Sequence, residues 1–156
     1  MPTIIRSLLL LLGLSVIPWS LAGAADAVRN PIVSPQTIAG ARIVNSEQLI
    51  AAVNDIPAMI LIDSRVAADR NDGLIGGSIH LTDTDTSCAS LAEVVPGKTS
   101  PVLFFCNGIR CGRSAKAAEV AVSCGYSHVL WFRNGMEEWL DKEYPLVRQV
   151  AHPVVE

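Results

Sequence analysis

The chain has 156 residues, of which 50% are hydrophobic and 17% charged, and its formal net charge is −3 at pH 7. This length suits one domain with a substantial core and excludes two domains of ordinary size. The basic residues form no runs, and together with the net negative charge this argues against nucleic acid or an anionic membrane as a partner.

Residues 1–24 have the pattern of a cleavable secretory signal peptide. Arg6 precedes an apolar run over residues 8–17 that is too short to span a bilayer comfortably, and Ala22-Gly-Ala24 fits a small-x-small cleavage site. We therefore predict export to the periplasm or the medium, with cleavage before Ala25 and no membrane attachment afterwards. Loss of Arg6 would change the net charge from −3 to −4. An uncleaved membrane anchor is the alternative interpretation.

The remaining sequence is predicted to contain a linker over residues 25–40, a domain over 41–148 and a C-terminal tail over 149–156. Within the domain, predicted strands alternate with predicted helices. The strands are expected at 42–44, 58–63, 78–81, 102–105 and 128–132, and the helices at 46–53, 88–95, 113–124 and 136–143. This alternation predicts an α/β fold with a mainly parallel central sheet and helices on both faces. Ligands of such folds bind at the carboxyl ends of the strands.

One segment, PVLFFCNGIRCGRS at residues 101–114, has the features of a reactive site. Cys106 follows a buried apolar strand, a glycine-containing loop comes next, and an Ala-rich helix begins at Arg113. A strand, such a loop and a helix N-terminus can hold an anion on backbone N–H groups, and the same setting lowers the pKa of a thiol. Arg110 and Arg113 add positive charge. We therefore predict a nucleophilic thiolate at Cys106; the alternative is a buried structural cysteine.

Three segments, in this order along the chain, resemble the rhodanese family. They are Leu61–Arg65, which resembles the strand–Asp–x–Arg signature; residues 73–79, which resemble the G-H-I-P-G-A-I segment; and residues 106–114 with Gly125-Tyr126, residues 133–135 and Trp139, which resemble the active loop, its helix and the closing G-G-x-x-x-W. In the second segment Leu74 replaces the usual His and Gly76 the usual Pro. The resemblance spans residues 43–139 and implies a single-domain rhodanese-like fold.

This resemblance implies a sulfurtransferase. Cys106 would take the outer sulfur of thiosulfate or a related small anionic donor as a persulfide and pass it to a thiol or protein acceptor. Donor binding would fall to the loop residues Asn107, Gly108, Ile109, Arg110, Gly112 and Arg113. Asp63 is expected to fix neighbouring loops, with Arg65 as its partner or as a surface charge. No metal or organic cofactor is implied, and the three histidines share no ligand spacing.

The predicted active loop departs from the family pattern at Cys111, which stands where the usual loop has an arginine. The loop is then about two residues longer than usual. Longer loops in related domains accompany phosphatase or arsenate-reductase activity, but no acidic residue near this loop in the sequence offers a leaving-group acid. A second thiol beside Cys106 could attack a persulfide or form a disulfide. The alternatives are therefore a dithiol redox protein using Cys106 and Cys111, or a non-catalytic module that binds sulfur or protein.

The other two cysteines are expected to lie outside the reactive loop. Cys124 falls on the apolar face of its helix, which predicts a buried, inert thiol. Cys88 precedes a helix in a polar segment and is either free or paired with Cys111 or Cys124.

Overall fold

The computed structural model describes residues 33–148, in which one parallel sheet is covered by helices on both faces. The strands are β1 (Ala41–Val44), β2 (Ile60–Asp63), β3 (Ile79–His80), β4 (Val102–Phe105) and β5 (Val129–Phe132). The helices are α1 (Ser46–Asp55), α2 (Cys88–Val94), α3 (Arg113–Ser123) and α4 (Gly135–Asp141), and a 3₁₀ turn spans Ala67–Arg70. The strand order is β1-β5-β4-β2-β3, and every pair is parallel. The predicted α/β class is confirmed.

The central strand β4 carries four apolar residues that are all completely buried. Successive side chains of a strand point to opposite faces, so Phe104 packs with α2 and α3 whereas Phe105 packs with α1 and α4. A strand that is buried on both faces is a continuous run of apolar residues, which is why β4 can be recognised in the sequence. Its carboxyl end positions the residue that follows, Cys106.

The N-termini of the helices differ in one way that bears on the site. Asn45 and Gln48 form a capping box on α1, and Ser87 and Ser90 form one on α2. Helices α3 and α4 instead have Gly112 and Asn134 at their N-caps, with no side-chain capping hydrogen bond at either. Because the first N–H groups of a helix have no partner within the helix, α3 keeps donors available at its N-terminus.

The segment immediately before β1 packs against the domain. Ile38 is buried in the core cluster that includes Phe104, and the Pro35 carbonyl accepts a 2.7 Å hydrogen bond from Nε of Arg133. The sequence predicts a linker over residues 25–40, and the described part of it, residues 33–40, packs against the domain through Ile38 and the Pro35 carbonyl. Residues 25–32, the predicted signal peptide and the predicted tail lie outside the described residues.

All helices of the described part are short, and the longest, α3, has 11 residues. Within residues 33–148, none is long and apolar enough to cross a membrane.

Candidate active site

Cys106 lies directly after the central strand and is joined to Cys111 by a disulfide bond. Their Cα atoms are 6.1 Å apart. Cys111 immediately precedes Gly112, the N-cap of α3, so both sulfur atoms lie beside the uncapped N-terminus of that helix. Cys106 is 1% exposed and Cys111 8% exposed. The predicted strand, loop and helix N-terminus are therefore all present, with the predicted nucleophile in its oxidised form.

The first half of the active loop is held by the N-terminus of α4. The backbone N–H of Met136 donates to the carbonyl of Cys106 at 2.9 Å, and that of Glu137 donates to the carbonyl of Asn107 at 2.7 Å. Gly135 has a φ of +54°, and a Cβ there would overlap the Cys106 carbonyl. Glycine is thus required for both the backbone conformation and the close approach. This contact explains why the segment at residues 133–135 belongs with the active loop.

The second half of the loop is held by its own turn and by the N-terminal segment. The N–H of Cys111 donates to the carbonyl of Gly108 at 2.9 Å, and the N–H of Ser34 donates to the carbonyl of Ile109 at 2.7 Å. Arg133 in turn donates from Nη2 to the carbonyl of Ser34 at 3.1 Å. Sequence reasoning missed Ser34 and the contact that Arg133 makes with it, because no motif links a polar leader segment to a loop some 75 residues away.

Asp63 and Arg65 form a buried ion pair at the carboxyl end of β2. The Asp63 side chain is 0% and the Arg65 side chain 3% exposed, and Nη2 of Arg65 lies 2.7 Å from Oδ2 of Asp63. Arg65 also donates from Nη1 to the Asp69 carbonyl at 2.8 Å and from Nη2 to the Gly73 carbonyl at 3.0 Å. A second cation, Arg70, donates from Nε to Asp63 at 3.1 Å. The pair thus fixes the segment after β2, which is the structural role expected for Asp63.

This ion pair reaches the active loop through Asp69. Nδ2 of Asn107 donates to Oδ2 of Asp69 at 2.7 Å, and the backbone of Asp69 is held by Arg65. Asn107 therefore binds a neighbouring segment through its side chain, whereas donor binding is predicted for the backbone N–H groups of the loop. Its backbone N–H is a separate group that this contact does not occupy.

A basic cavity of about 170 Å³ opens beside Cys111. It is lined by Asp83, Arg110, Cys111, Gly112, Arg113 and Lys116. Asp83 lies 3.5 Å from Nε of Arg113 and 3.8 Å from Nζ of Lys116. Arg110 is exposed and makes no ion pair with any residue among 33–148. Three cations and one carboxylate give the cavity a formal charge of +2.

An acidic cavity of about 260 Å³ is lined in part by Asn107. Its charged lining comprises Arg65, Asp69, Asp72 and Glu137. The sequence shows no acidic residue near the loop that could serve as a leaving-group acid, whereas the fold brings Asp69 and Glu137 beside the loop. Asp69 belongs to the turn after β2 and Glu137 to α4, so both are distant from the active loop in sequence. Glu137 packs so closely on Gly108 that a Cβ at Gly108 would overlap its carboxylate.

Glu138 joins α4 to the start of α1. Burial opposes ionisation of this carboxyl, but hydrogen bonds from the hydroxyl and N–H of Ser46, from Asn134 and from Lys142 outweigh it, and the pKa falls to about 2. Lys142 also binds Glu47, which lowers the pKa of Glu47 and raises that of Lys142. Glu138 therefore fixes the position of α4, the helix whose N-terminus holds the active loop.

Cys88 and Cys124 form a second disulfide, with Cα atoms 5.5 Å apart. The prediction that Cys124 is an inert thiol is wrong. The reason is tertiary, because Cys88 begins α2 and Cys124 caps α3 at its C-terminal end, and these two ends are neighbours. Among residues 33–148 no three His, Cys, Asp or Glu side chains form a group that could hold a metal ion.

Comparison with known proteins shows the same fold in several rhodanese-like proteins. The chain is 29% identical over 90 residues to the uncharacterized protein YibN of Escherichia coli K12, a match that covers 57% of this chain and 61% of that relative. The BH2092 protein of Bacillus halodurans has a TM-score of 0.61 at 17% identity, covering 69% of this chain and 77% of that one. The polysulfide-sulfur transferase of Wolinella succinogenes has a TM-score of 0.56 at 18% identity, covering 76% of this chain and 86% of that one.

At these identities the solved structures show the fold alone, and it is a fold that sulfurtransferases use. The chain spans about three fifths of the length of the curated relative that it matches. The family model described as "Rhodanese-like domain" matches residues 45–142, which is more than half of the chain. The match includes both Asp63 and the whole active loop. The chain therefore belongs to the rhodanese-like domain family.

Proposed function

We propose that this protein is an exported sulfurtransferase that carries sulfane sulfur as a persulfide on Cys106. The observation that carries the proposal is the position of Cys106 at the end of the central strand and beside the uncapped N-terminus of α3. Unpartnered helix N–H groups stabilise a thiolate and a persulfide anion alike. Membership of the rhodanese-like family supports this chemistry.

The proposed donor is thiosulfate or a similar small anion, and it approaches through the basic cavity beside Cys111. Arg110 is the cation best suited to bind its sulfonate end, because it makes no ion pair with the described residues. Arg113 is less available, since Asp83 lies 3.5 Å from its Nε. The acceptor in this proposal is a thiol, free or on a protein.

The proposed location is an oxidising compartment outside the cytoplasm. Two disulfides among the described cysteines fit such a compartment, where thiols are not kept reduced. The signal-peptide pattern of residues 1–24 supports the same location. One consequence is that sulfur transfer requires reduction of the Cys106–Cys111 bond first, because a disulfide sulfur is not a nucleophile.

The test is sulfite release from thiosulfate in the presence of cyanide and a dithiol reductant. The wild-type protein should turn over, and Cys106→Ser should lower the rate by about 10³-fold or more, since a hydroxyl does not replace a thiolate in sulfur transfer. A double variant, Cys88→Ser with Cys124→Ser, removes the other disulfide and should keep the wild-type rate. No turnover by the wild type would overturn the proposal in favour of a non-catalytic module, and full activity of Cys106→Ser would overturn the role of that residue.

A further inference from the structure

The sulfurtransferase proposal leaves the disulfide between Cys106 and Cys111 without a role. Resting on that proposal, we infer that this bond forms during turnover. The thiolate of Cys111 displaces the sulfur of the Cys106 persulfide as sulfide, and an external dithiol then opens the disulfide by attacking Cys111. The protein thereby reduces sulfane sulfur. Thiosulfate is converted to sulfite and sulfide, and the dithiol is oxidised to a disulfide.

The active loop is also held in place by contacts other than the disulfide. Four backbone hydrogen bonds already fix it, through the carbonyls of Cys106, Asn107, Gly108 and Ile109, at distances of 2.7 to 2.9 Å. The donors are the N–H groups of Met136, Glu137, Cys111 and Ser34, in the same order. A loop anchored along its length gains little order from a bond that closes only five residues. This favours a chemical role for Cys111 over a structural one.

The second disulfide differs from the first in this respect. Cys88 and Cys124 are separated by 36 residues, and their bond joins the start of α2 to the end of α3. A bond closing a long loop removes much conformational entropy from the unfolded chain. Neither residue lines the basic cavity. One disulfide thus joins two helices, and the other lies at the active loop.

The two sulfur atoms of the loop also differ in access. Cys106 is 1% exposed, whereas Cys111 is 8% exposed and lines the basic cavity. An incoming thiolate is attracted by Arg110, Arg113 and Lys116 and meets Cys111 first. The leaving group is then the Cys106 thiolate, which the N-terminus of α3 stabilises. Attack at Cys111 therefore regenerates the nucleophile of the first step directly.

The cycle balances in three steps. The Cys106 thiolate attacks the outer sulfur of thiosulfate, and the S–S bond breaks with its electron pair on sulfite. The Cys111 thiolate then attacks Sγ of the protonated Cys106 persulfide, the intramolecular disulfide forms, and the outer sulfur leaves as HS⁻. In the third step one thiolate of the dithiol attacks Sγ of Cys111 and frees Cys106, and its second thiol displaces Cys111 and closes the reductant's own disulfide.

The first test is a single turnover of the full protein, reduced with a dithiol and then freed of it under anaerobic conditions. One equivalent of thiosulfate should yield one sulfite, one sulfide and a Cys106–Cys111 disulfide. Cys111→Ser, with Cys111→Ala as a second variant, should still release sulfite but retain the persulfide on Cys106 and release sulfide at least tenfold more slowly. The matched control, Cys88→Ser with Cys124→Ser, should release both products as the wild type does.

The possible outcomes distinguish failure of this inference from failure of the sulfurtransferase proposal. Sulfite without sulfide or disulfide in the wild type, or sulfide from both Cys111 variants at the wild-type rate, would overturn the inference and leave the sulfurtransferase intact. No sulfite from any form would overturn both.

The second test addresses the site of reduction. The oxidised protein is mixed briefly with glutathione and quenched with an alkylating reagent, and the two loop cysteines are mapped. The inference predicts glutathione on Cys111 and the alkyl group on Cys106. The reverse pattern would show that reduction begins at Cys106 and would contradict the proposed route.

Discussion

The carbonyl of Cys106 accepts a 2.9 Å hydrogen bond from the backbone N–H of Met136, so the residue proposed as nucleophile is tied to the first turn of α4. Gly135, just before Met136, leaves no room for a side chain at this contact. The closing segment of the chain thus controls the geometry of a loop nearly 30 residues before it.

We predict that Gly135→Ala lowers the rate of sulfur transfer by about 10²-fold, because the added Cβ displaces the Cys106 carbonyl and misaligns the nucleophile. Gly125→Ala is the matched control, since Gly125 also has a positive φ, +86°, but an added Cβ there meets nothing within 4 Å. Both variants should lose about 1 kcal/mol of stability from backbone strain, and Gly135→Ala should lose more because its Cβ would overlap the Cys106 carbonyl. Sulfite release measures the difference, and equal rates in the two variants would show that the α4 contact does not position Cys106.

Removing one member of the buried ion pair should destabilise the domain strongly. Arg65→Ala leaves the carboxylate of Asp63, 0% exposed, without its closest cation, and the free energy of unfolding should fall by about 3–5 kcal/mol. Arg65→Lys should be intermediate, because an ammonium cannot reproduce the fork that binds the carbonyls of Asp69 and Gly73. Denaturant unfolding measures both. Exposed Arg42→Ala is the control, and a loss for Arg65→Ala no larger than for this control would refute the structural role.

Stability should depend on pH through Glu138. Its pKa in the folded protein is about 2, below the ordinary value of 4.5, so its contribution is complete above pH 4.5 and is lost as the pH falls towards 2. Glu138→Gln should lose about 1–3 kcal/mol at pH 7 and show a shallower decline between pH 4.5 and 2. The decline in stability that remains in Glu138→Gln comes from Glu47, whose pKa is also lowered.

Urea unfolding at pH 7 and at pH 3 checks this prediction. The exposed α3 residue Glu119 provides the control, and Glu119→Gln should leave the free energy of unfolding at pH 7 unchanged. An identical pH dependence in the wild type and Glu138→Gln would mean that Glu138 does not carry the effect.

Arg110 should contribute to donor binding more than Arg113 does. Arg110→Gln removes a cation that has no ion pair among the described residues, and the KM for thiosulfate should rise about tenfold with little change in kcat. Arg113→Gln should raise KM less, because Asp83 already offsets that charge. Steady-state sulfite release gives both constants. A larger rise in KM for Arg113→Gln would reverse the assignment.

The parts of the fold that could be predicted are those with a local signal. The apolar run at Val102–Phe105 and the capping residue Asn45 mark β4 and α1, because burial on both faces and helix capping impose composition directly. The order of the elements then indicates the α/β class.

The unpredicted features arise where distant segments meet. Ser34 binds the loop at Ile109, Asp69 binds Asn107, and Cys124 pairs with Cys88, all through tertiary packing that no spacing in the sequence records. The prediction that Cys124 is inert fails for this reason, since an apolar helix face does not reveal what lies against its end. The predicted roles in catalysis and donor binding remain predictions.

The central claim, a persulfide on Cys106, is tested most directly by intact-mass spectrometry of the Cys111→Ser protein after reduction and addition of thiosulfate, followed by peptide mapping. This variant cannot close the loop disulfide, so the persulfide should accumulate. We predict a gain of one sulfur atom, about 32 Da, on Cys106 and none in the variant that also carries Cys106→Ser. An unchanged mass, or the added sulfur on another residue, would contradict the account.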